Sequence, residues 1–381
     1  VVVPVAGAPG ARTRTAVWRP YLGCVQTPDG ADYGAVSGVL PFVSGLAPPK
    51  DAPPLPASRR LFPALEAAVA GAFDRETVGA GTETTAVLIV RDGTIVAERY
   101  RDGFDAQTPQ RTWSVAKSIA ATIIGAAVQD GLIAVDEPAG LEAWSTPGDP
   151  RAAITIENLL HMASGLDAGA VGSRTHDVYF GGGRVIDHAV TNRLIAEPGA
   201  RWFYANNDTM AAIRALRERL EAAQGPGAHL RYPFEALLGP LGMRATFLET
   251  DWNGDFVLSS QVWTTARDLA RLGLLYLGDG VWNGRRILPE GWAAYVATPA
   301  PAQPPNPGRF GYGAQFWLAG PDSGLPAGTY AAFGNRGQHL VIIPERNMLV
   351  VRRGFDEIGG TRFDIAAFVR DILAASEESA P

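Results

Sequence analysis

Trp113-Ser114-Val115-Ala116-Lys117 stands at the start of an apolar run that extends to residue 128. This run predicts a helix from about Ser114 to Gln129, ended near Gly131. Because the predicted helix is apolar on almost every face, we expect the rest of the protein to bury it on all sides. A shielded helix that begins with a serine and a lysine one turn apart is the feature on which the fold prediction depends.

Lysine is scarce in this chain, since only Lys50 and Lys117 are lysines among the 33 lysine and arginine residues. An arginine keeps its proton in a protein, whereas a buried lysine can lose it. A helix brings positions i and i+3 onto one face, so the Lys117 amine can meet the Ser114 hydroxyl. A neutral Lys117 could take the hydroxyl proton and make Ser114 a nucleophile toward an acyl carbon. The alternative is a helix-capping serine with an unrelated lysine.

A second candidate element is Tyr204-Ala205-Asn206. A phenol near a cationic amine loses its proton more readily, which would let Tyr204 act as a general base or proton relay. Asn206 can donate to a substrate carbonyl through its amide nitrogen and accept from Lys117 through its amide oxygen. The alternative is a core tyrosine that happens to lie beside the start of a helix.

A third candidate element is Gly334-Asn335-Arg336-Gly337-Gln338-His339, which opens a predicted strand. Glycine at a strand edge lets a substrate backbone approach, and the backbone there offers an N–H to an oxyanion. The N–H of Ser114, at a helix N-terminus, also faces the developing oxyanion. The plain alternative for this element is a loop-to-strand turn.

The order of predicted elements indicates how the chain is organised. Residues 1–57, rich in Pro and Gly, predict an extended arm without a core of its own. Strand-rich segments bracket a helical middle, which predicts an α/β domain from residues 58–134 and 246–381, a helical domain from residues 135–245, and a cleft between them. The strands and helices behind this prediction are a hairpin of residues 85–90 and 94–100, a second strand pair of residues 337–344 and 348–354, and helices at residues 61–73, 156–162, 208–223, 264–277 and 361–375.

Composition excludes several classes of partner. The net charge is −6 and no basic tract occurs, so nucleic acid is not expected to bind. The sequence contains no run of 18 or more apolar residues, so no segment is predicted to span a bilayer. The five histidines show no metal-ligand spacing, so neither a metal nor another cofactor is expected. The first eight residues, which lack Met, are similar to the end of a signal peptide and predict a periplasmic or secreted protein, with a trimmed chain as the alternative. The oligomeric state stays open.

Two further residues are candidates for contact with a substrate. His176 is followed by Asp177 in a Gly-rich segment, residues 165–183, and loops of this kind often carry specificity. Trp113 adjoins the candidate nucleophile and could line the pocket. The sequence contains no Gly-x-Ser-x-Gly, which an α/β-hydrolase would need.

Taken together, the three elements resemble the serine β-lactamase and penicillin-binding superfamily. The resemblance is nearest to its class C β-lactamase-like branch, which includes family VIII carboxylesterases and 6-aminohexanoate-dimer hydrolases. It covers about residues 60–375 and implies an α/β domain, with an antiparallel sheet flanked by helices, beside an all-helical domain. Further stretches that match the branch are residues 154–160, Ser164-Gly165-Leu166, residues 240–243, residues 264–270 and residues 280–284.

The resemblance also implies roles for individual residues. Ser114 would be the nucleophile with Lys117 as its partner. Tyr204 would be the general base, with Asn206 beside it. Gln338 would supply the second oxyanion N–H, although the register of its segment is open by one residue.

The strand motif departs from that of most β-lactamases and DD-peptidases, which carry Lys-Thr-Gly or His-Thr-Gly there. Residues 335–338 read Asn-Arg-Gly-Gln instead, nearer the ester and amide hydrolases of the branch. The resemblance therefore implies a serine hydrolase that cleaves a small ester or amide through an acyl-enzyme. One alternative is a β-lactamase or D-amino-acid peptidase, in which Arg336 would meet the carboxylate of a penicillin. Another is a non-catalytic binding or sensor domain on the same fold.

Overall fold

The computed structural model of this chain describes residues 2–4, 13–27, 53–60, 62–169, 185–305 and 308–377. Its central element is a seven-stranded sheet in which every pair of neighbouring strands is antiparallel. The strands of the described residues are β1 (Val2–Pro4), β2 (Thr13–Arg19), β3 (Gly23–Gln26), β4 (Thr84–Arg91), β5 (Thr94–Tyr100), β6 (Gln110–Arg111), β7 (Phe247–Leu248), β8 (Val262–Thr264), β9 (Val281–Trp282), β10 (Arg285–Arg286), β11 (Phe310–Tyr312), β12 (Trp317–Ala319), β13 (Tyr330–Gly334), β14 (Gln338–Ile343) and β15 (Met348–Gly354).

Helices cover both faces of this sheet. The α-helices of the described residues are α1 (Pro63–Gly71), α2 (Arg75–Val78), α3 (Val115–Gln129), α4 (Ile156–Leu160), α5 (Val185–Thr191), α6 (Asn206–Gln224), α7 (Ala228–Pro233), α8 (Gly239–Leu241), α9 (Ala266–Leu277), α10 (Trp292–Val296) and α11 (Ile365–Glu377). Short 3₁₀ turns occur at Glu142–Trp144, Pro150–Ala153, Pro321–Ser323 and Pro344–Arg346, and one π-helical turn at Phe234–Leu238.

The large sheet has the order β11-β12-β13-β14-β15-β4-β5. Its β4–β5 hairpin turns on Asp92 and Gly93, which both have positive φ (51° and 72°). Two positive φ values in a two-residue loop define the turn whose twist matches that of the flanking strands, and Asp-Gly is a favoured sequence for it. The predicted hairpin is therefore confirmed, with each strand within one residue of its expected bounds.

Two hydrophobic cores lie on opposite faces of the sheet. One contains α3 and α9 together with alternate residues of the strands, such as Leu88 and Leu340. The other contains α1 and α11 packed on the alternate positions, such as Val87 and Val341. This arrangement is the antiparallel sheet flanked by helices that the sequence predicted.

Helix α3 is the central helix of the first core. Its residues are buried without a break from Val115 to Ala127, as its apolar composition predicted. No polar face of this stretch is left to solvent. A charged or polar side chain on α3 is therefore held inside the protein.

Three small sheets accompany the large one, with strand orders β1-β2-β3, β10-β9 and β6-β8-β7. The sequence did not predict them. Residues 1–57, expected as an extended arm, thus include a three-stranded antiparallel sheet, and Leu22 joins the main core. The sheet β6-β8-β7 matters for the site, because β6 ends three residues before Ser114.

The described residues between 135 and 245 form helices and loops, with no named strand among them. The domain boundaries at residues 57, 134 and 245 stay a prediction. Across the described part of the chain, every helix is too short or too polar to cross a bilayer.

Candidate active site

Ser114 lies at the sharp turn between β6 and α3. The preceding residue, Trp113, has a φ of +49°, a left-handed conformation that costs a bulky residue energy and redirects the chain from strand into helix. Ser114 itself already has helical backbone angles, and its side chain makes no capping hydrogen bond. The hydroxyl is therefore not used as a helix cap, and it faces the Lys117 amine, with 3.1 Å between Nζ and Oγ.

Lys117 is buried, with 1% of its surface exposed. Its Nζ lies 2.7 Å from the side-chain oxygen of Asn206, at the first turn of α6, and 2.7 Å from the backbone carbonyl of Ser259. Burial lowers the pKa of Lys117 to about 7, because the protein interior disfavours the ammonium form. The pKa of the amine thus lies near neutral pH, far below that of a lysine in water.

The three neighbours of Nζ match the bonding capacity of a neutral amine. Asn206 Oδ1 and the Ser259 carbonyl can only accept hydrogen bonds, so they take the two N–H groups of an uncharged amine. The lone pair then faces the Ser114 hydroxyl, the one neighbour that can donate. The contacts thus direct the basic position of Lys117 at the hydroxyl proton that must be removed.

Tyr204 lies on the other side of the amine, with Nζ 5.0 Å from its ring centroid. Burial raises the pKa of Tyr204 to about 12, and a hydrogen bond with the Ser114 hydroxyl offsets part of this effect. The expectation that a nearby cation would lower this pKa is wrong, because the amine loses its own charge near neutral pH and burial dominates. Tyr204 therefore keeps its proton at neutral pH, which suits it to donate a proton.

Aromatic side chains hold the Tyr204 ring in place. The ring centroids of Trp317, Tyr312 and Trp202 lie 5.6, 6.0 and 6.2 Å from that of Tyr204. Contacts of this kind favour one ring orientation. The sequence did not point to Tyr312 and Trp317, since they lie in a distant pair of strands, and it gave Trp202 no role.

A buried carboxylic acid links α6 to the Ser164-Gly165-Leu166 turn. Asp208 Oδ1 accepts from the Ser164 hydroxyl at 2.8 Å, and Asp208 Oδ2 accepts from the Ser164 backbone N–H at 3.2 Å. Burial raises the pKa of Asp208 to about 7. This link fixes the start of α6, and with it Asn206. The sequence analysis missed Asp208 as a site residue, although it lies only four residues after Tyr204, in the first turn of α6.

The third element lies against the nucleophile, but through Gly334 rather than Gly337. A Cβ atom at Gly334 would stand 2.2 Å from the Thr112 carbonyl oxygen and 3.3 Å from the Ser114 nitrogen, so only glycine permits this approach. Gly337 has a φ of +76°, and a Cβ there would collide with the Arg352 guanidinium at 1.6 Å. Gly337 is thus needed for the turn and for packing under it. Its predicted role beside the substrate stays a prediction.

The side chains of Arg336 and Gln338 both form hydrogen bonds within the protein. The Arg336 guanidinium, expected to meet a substrate carboxylate, donates to the carbonyls of Phe355 and Asp356 at 2.9 and 3.0 Å. Gln338 is buried and pairs with Gly334 across the β13–β14 turn. The contact of this element with Ser114 that the structure shows is made by Gly334, so the oxyanion role of Gln338 stays a prediction.

The remaining predicted contacts are Trp113 and His176. Trp113 is partly exposed beside Ser114, and the Arg111 guanidinium lies 3.4 Å from the centroid of its ring. One face of the indole is thus covered by Arg111. His176 falls in residues 170–184, outside the described part of the chain. The described residues contain no group of three or more His, Cys, Asp or Glu side chains that could hold a metal ion.

A serine hydroxyl that faces a shielded amine, with a protonated phenol and an amide beside it, defines a serine hydrolase that works through a covalent acyl intermediate. The chain belongs to the beta-lactamase family, whose family model matches residues 68–352. Its fold is the β-lactamase/transpeptidase-like fold, and its activity is that of a serine hydrolase. The predicted superfamily and fold class are confirmed.

Individual relatives agree with this family. The chain is 26% identical over 293 residues to the 6-aminohexanoate-dimer hydrolase of Paenarthrobacter ureafaciens, covering 71% of this chain and 72% of that protein. A Bacillus anthracis structure provisionally assigned as a 6-aminohexanoate-dimer hydrolase has a TM-score of 0.68 at 22% identity, covering 88% of this chain and 90% of that one. The structure of a family VIII carboxylesterase has a TM-score of 0.64 at 14% identity, covering 84% and 97% of the two chains.

Replacing Lys117 with Met should change how the free energy of unfolding depends on pH, because the buried amine is then absent. The pKa of Lys117, about 7 in the folded protein, lies below its ordinary value of 10.5, so between these values the unfolded chain binds more protons and wild-type stability rises with pH. K117M lacks this gain. Its free energy of unfolding relative to wild type should therefore be highest at pH 7 and below, and should fall by about 1 kcal/mol per pH unit above pH 7.

Urea unfolding at pH 6, 8 and 9.5 measures this difference. The S114A variant is the matched control, because it keeps the amine and should follow the pH trend of wild type. If the difference in free energy of unfolding between K117M and wild type is constant across this pH range, burial does not lower the pKa of Lys117.

Proposed function

We propose that this protein cleaves a small ester or amide by forming an acyl-enzyme on Ser114, with neutral Lys117 as the base. The observation that carries this proposal is the placement of the Lys117 amine between two pure acceptors and the Ser114 hydroxyl. The arrangement supplies a nucleophile and a base without a metal or an organic cofactor.

In the acylation step, Lys117 takes the Ser114 proton while Oγ attacks the acyl carbon. The carbonyl oxygen becomes an oxyanion, which accepts from the backbone N–H of Ser114 and from that of Asn335, the residue after Gly334. Tyr204 donates its proton to the departing alcohol or amine, because its raised pKa keeps it protonated at neutral pH. The ammonium of Lys117 then returns a proton to Tyr204, which restores both groups.

In the deacylation step, water takes the place of the departed group. It loses a proton to the Lys117–Tyr204 pair, attacks the acyl carbon and forms a second tetrahedral intermediate. Ser114 regains its proton as the carbonyl reforms, and the carboxylic acid leaves. Asn206 supports both steps, since its oxygen holds Lys117 and its amide nitrogen can donate to the substrate.

Two observations favour a linear ester or amide over a lactam. The Arg336 guanidinium already donates to two backbone carbonyls, so binding the carboxylate of a penicillin would compete with these hydrogen bonds. The relative that is 26% identical over 293 residues is named a 6-aminohexanoate-dimer hydrolase. Nitrocefin turnover beside a panel of esters and linear amides would separate this proposal from a β-lactamase.

Replacing Ser114 with Ala should lower hydrolysis of short p-nitrophenyl esters by at least about 10³-fold, because no other group can form the acyl-enzyme. Mass spectrometry after treatment with a fluorophosphonate should show one adduct on wild type, at Ser114, and none on S114A. The exposed Ser145 provides the control, since S145A should match wild type in both assays. Undiminished hydrolysis by S114A would refute the proposal.

The value of kcat/KM should rise with pH along a curve with an apparent pKa near 7. The sign follows from the base, because Lys117 can accept a proton only after losing its own and this occurs as pH rises through about 7. K117R is the sharpest comparison, since arginine keeps a positive charge in place but cannot deprotonate.

We expect K117R to be inactive throughout pH 5.5 to 9, as checked by initial rates at each pH. A flat wild-type profile, or a K117R variant with substantial activity, would exclude Lys117 as the base.

A further inference from the structure

Arg353, on β15, is fully buried and binds two separate parts of the protein. Its Nε donates to the side-chain oxygen of Gln338 at 2.7 Å. Its two terminal nitrogens donate to the backbone carbonyls of Thr264 and Gln110 at 2.6 and 2.7 Å, and one of them also reaches the carbonyl of Arg111 at 3.2 Å. One guanidinium thus bridges β14 of the large sheet and the paired strands β6 and β8 of a small sheet.

The two bridged parts carry the two oxyanion donors of the proposed mechanism. Strand β6 leads directly through Thr112 to the N–H of Ser114. Gln338 pairs with Gly334 at the other side of the β13–β14 turn, and the N–H after Gly334 is the second donor. Gly334 and Thr112 are in contact at this point, so a small shift between the two sheets would change the spacing of the donors.

No carboxylate is among the groups that accept hydrogen bonds from Arg353 in this bridge. The acceptors that the described residues offer it are three backbone carbonyls and one side-chain amide, all uncharged. Its neighbour Arg352 differs, since it forms a salt bridge with Asp356 at 2.8 Å on the opposite face of the strand. Burial of a cation without a counter-charge is costly, and an apolar residue would pack there at lower cost. This cost indicates that the bridge serves a purpose beyond stability.

We propose that Arg353 is a positioning residue that sets the separation of the two oxyanion donors by clamping Gln338 to the backbone of β6 and β8. This inference rests on the proposed acyl-enzyme function. Its positive charge, held behind the donors, also favours the negative charge that develops on the substrate oxygen. The same geometry explains the residue type at position 338, since a glutamine offers one oxygen to Arg353 while its nitrogen donates to the carbonyl of Arg336 at 3.1 Å.

The test compares R353M and R353K with wild type on a short p-nitrophenyl ester. Both variants lose the fork that reaches four acceptors at once, so kcat should fall about 10- to 100-fold with KM changed by less than about threefold. An alkyl boronic acid, which forms a tetrahedral adduct on the serine, should lose affinity by a factor similar to the loss in kcat. R353K keeps the charge and serves as the second variant if R353M does not fold.

R271M is the matched control. Arg271 is also buried and donates to two backbone carbonyls, those of Leu241 and Pro53, but it lies on α9 away from the nucleophile. It should lose stability while keeping kcat and boronate affinity. If the Arg353 variants behave like R271M, with hydrolysis and boronate binding retained, Arg353 has only a structural role.

Hydrogen exchange followed by mass spectrometry tests whether Arg353 holds these two segments together, without a measurement of catalysis. In R353M, peptides covering residues 110–116 and 334–340 should exchange faster together, while R271M should leave both unchanged. Unchanged exchange of these peptides in R353M would overturn the inference. A wild-type protein without Ser114-dependent hydrolysis would refute the proposed function instead, and the exchange experiment would still show whether Arg353 joins the two segments.

Discussion

The burial of one amine inside an apolar helix is the constraint on which the site depends. Lys117 has no room to reach solvent, because the residues of α3 around it are buried on all sides. Its charge is therefore disfavoured, and the two acceptors at 2.7 Å leave one direction for its lone pair, toward Ser114. The same hydrophobic burial that stabilises the fold makes the amine a base near neutral pH.

This constraint also determines what the neighbouring groups can do. If Lys117 remained charged, its positive charge would stabilise the phenolate of Tyr204 and favour the phenol as a base. With a neutral amine, the phenol keeps its proton, and its raised pKa makes it a donor. The two groups thus have their pKa values moved in opposite directions by one cause, burial, which separates the roles of base and acid. Asn206 and the carbonyl of Ser259 hold this arrangement in place without contributing charge.

The sequence predicted those parts of the fold and site that depend on local spacing. The β4–β5 hairpin, the buried helix α3 and the proximity of Ser114 to Lys117 follow from patterns a few residues long. Strands β11 to β13 were missed because two of them are only three residues long and the segments around them are rich in Gly and Pro. Such short edge strands depend on pairing with a sheet that local patterns do not reveal.

The contacts that join distant segments could not be predicted in this way. The acceptor at Ser259 is a backbone carbonyl, and every residue has one, so no residue type marks it. Gly334 and Gly337 are equally plausible partners for the nucleophile in the sequence. Only the approach of Thr112 to Gly334, and of Arg352 to Gly337, distinguishes them. The choice between them depends on packing between two sheets.

The scarcity of lysine gains a physical meaning from the buried cations. Arg352 and Arg353 are both buried, and each forms several fixed hydrogen bonds through its planar fork. Burial lowers the pKa of Arg353 only to about 9, so it stays charged near neutral pH, whereas Lys117 is half neutral there. Arginine thus occupies the positions where a buried charge has to persist, and lysine the one described position where a proton has to leave. The two kinds of buried cation lie near the same site, since Lys117 Nζ is 3.1 Å from the Ser114 hydroxyl and Arg353 bonds to the strand that leads to Ser114.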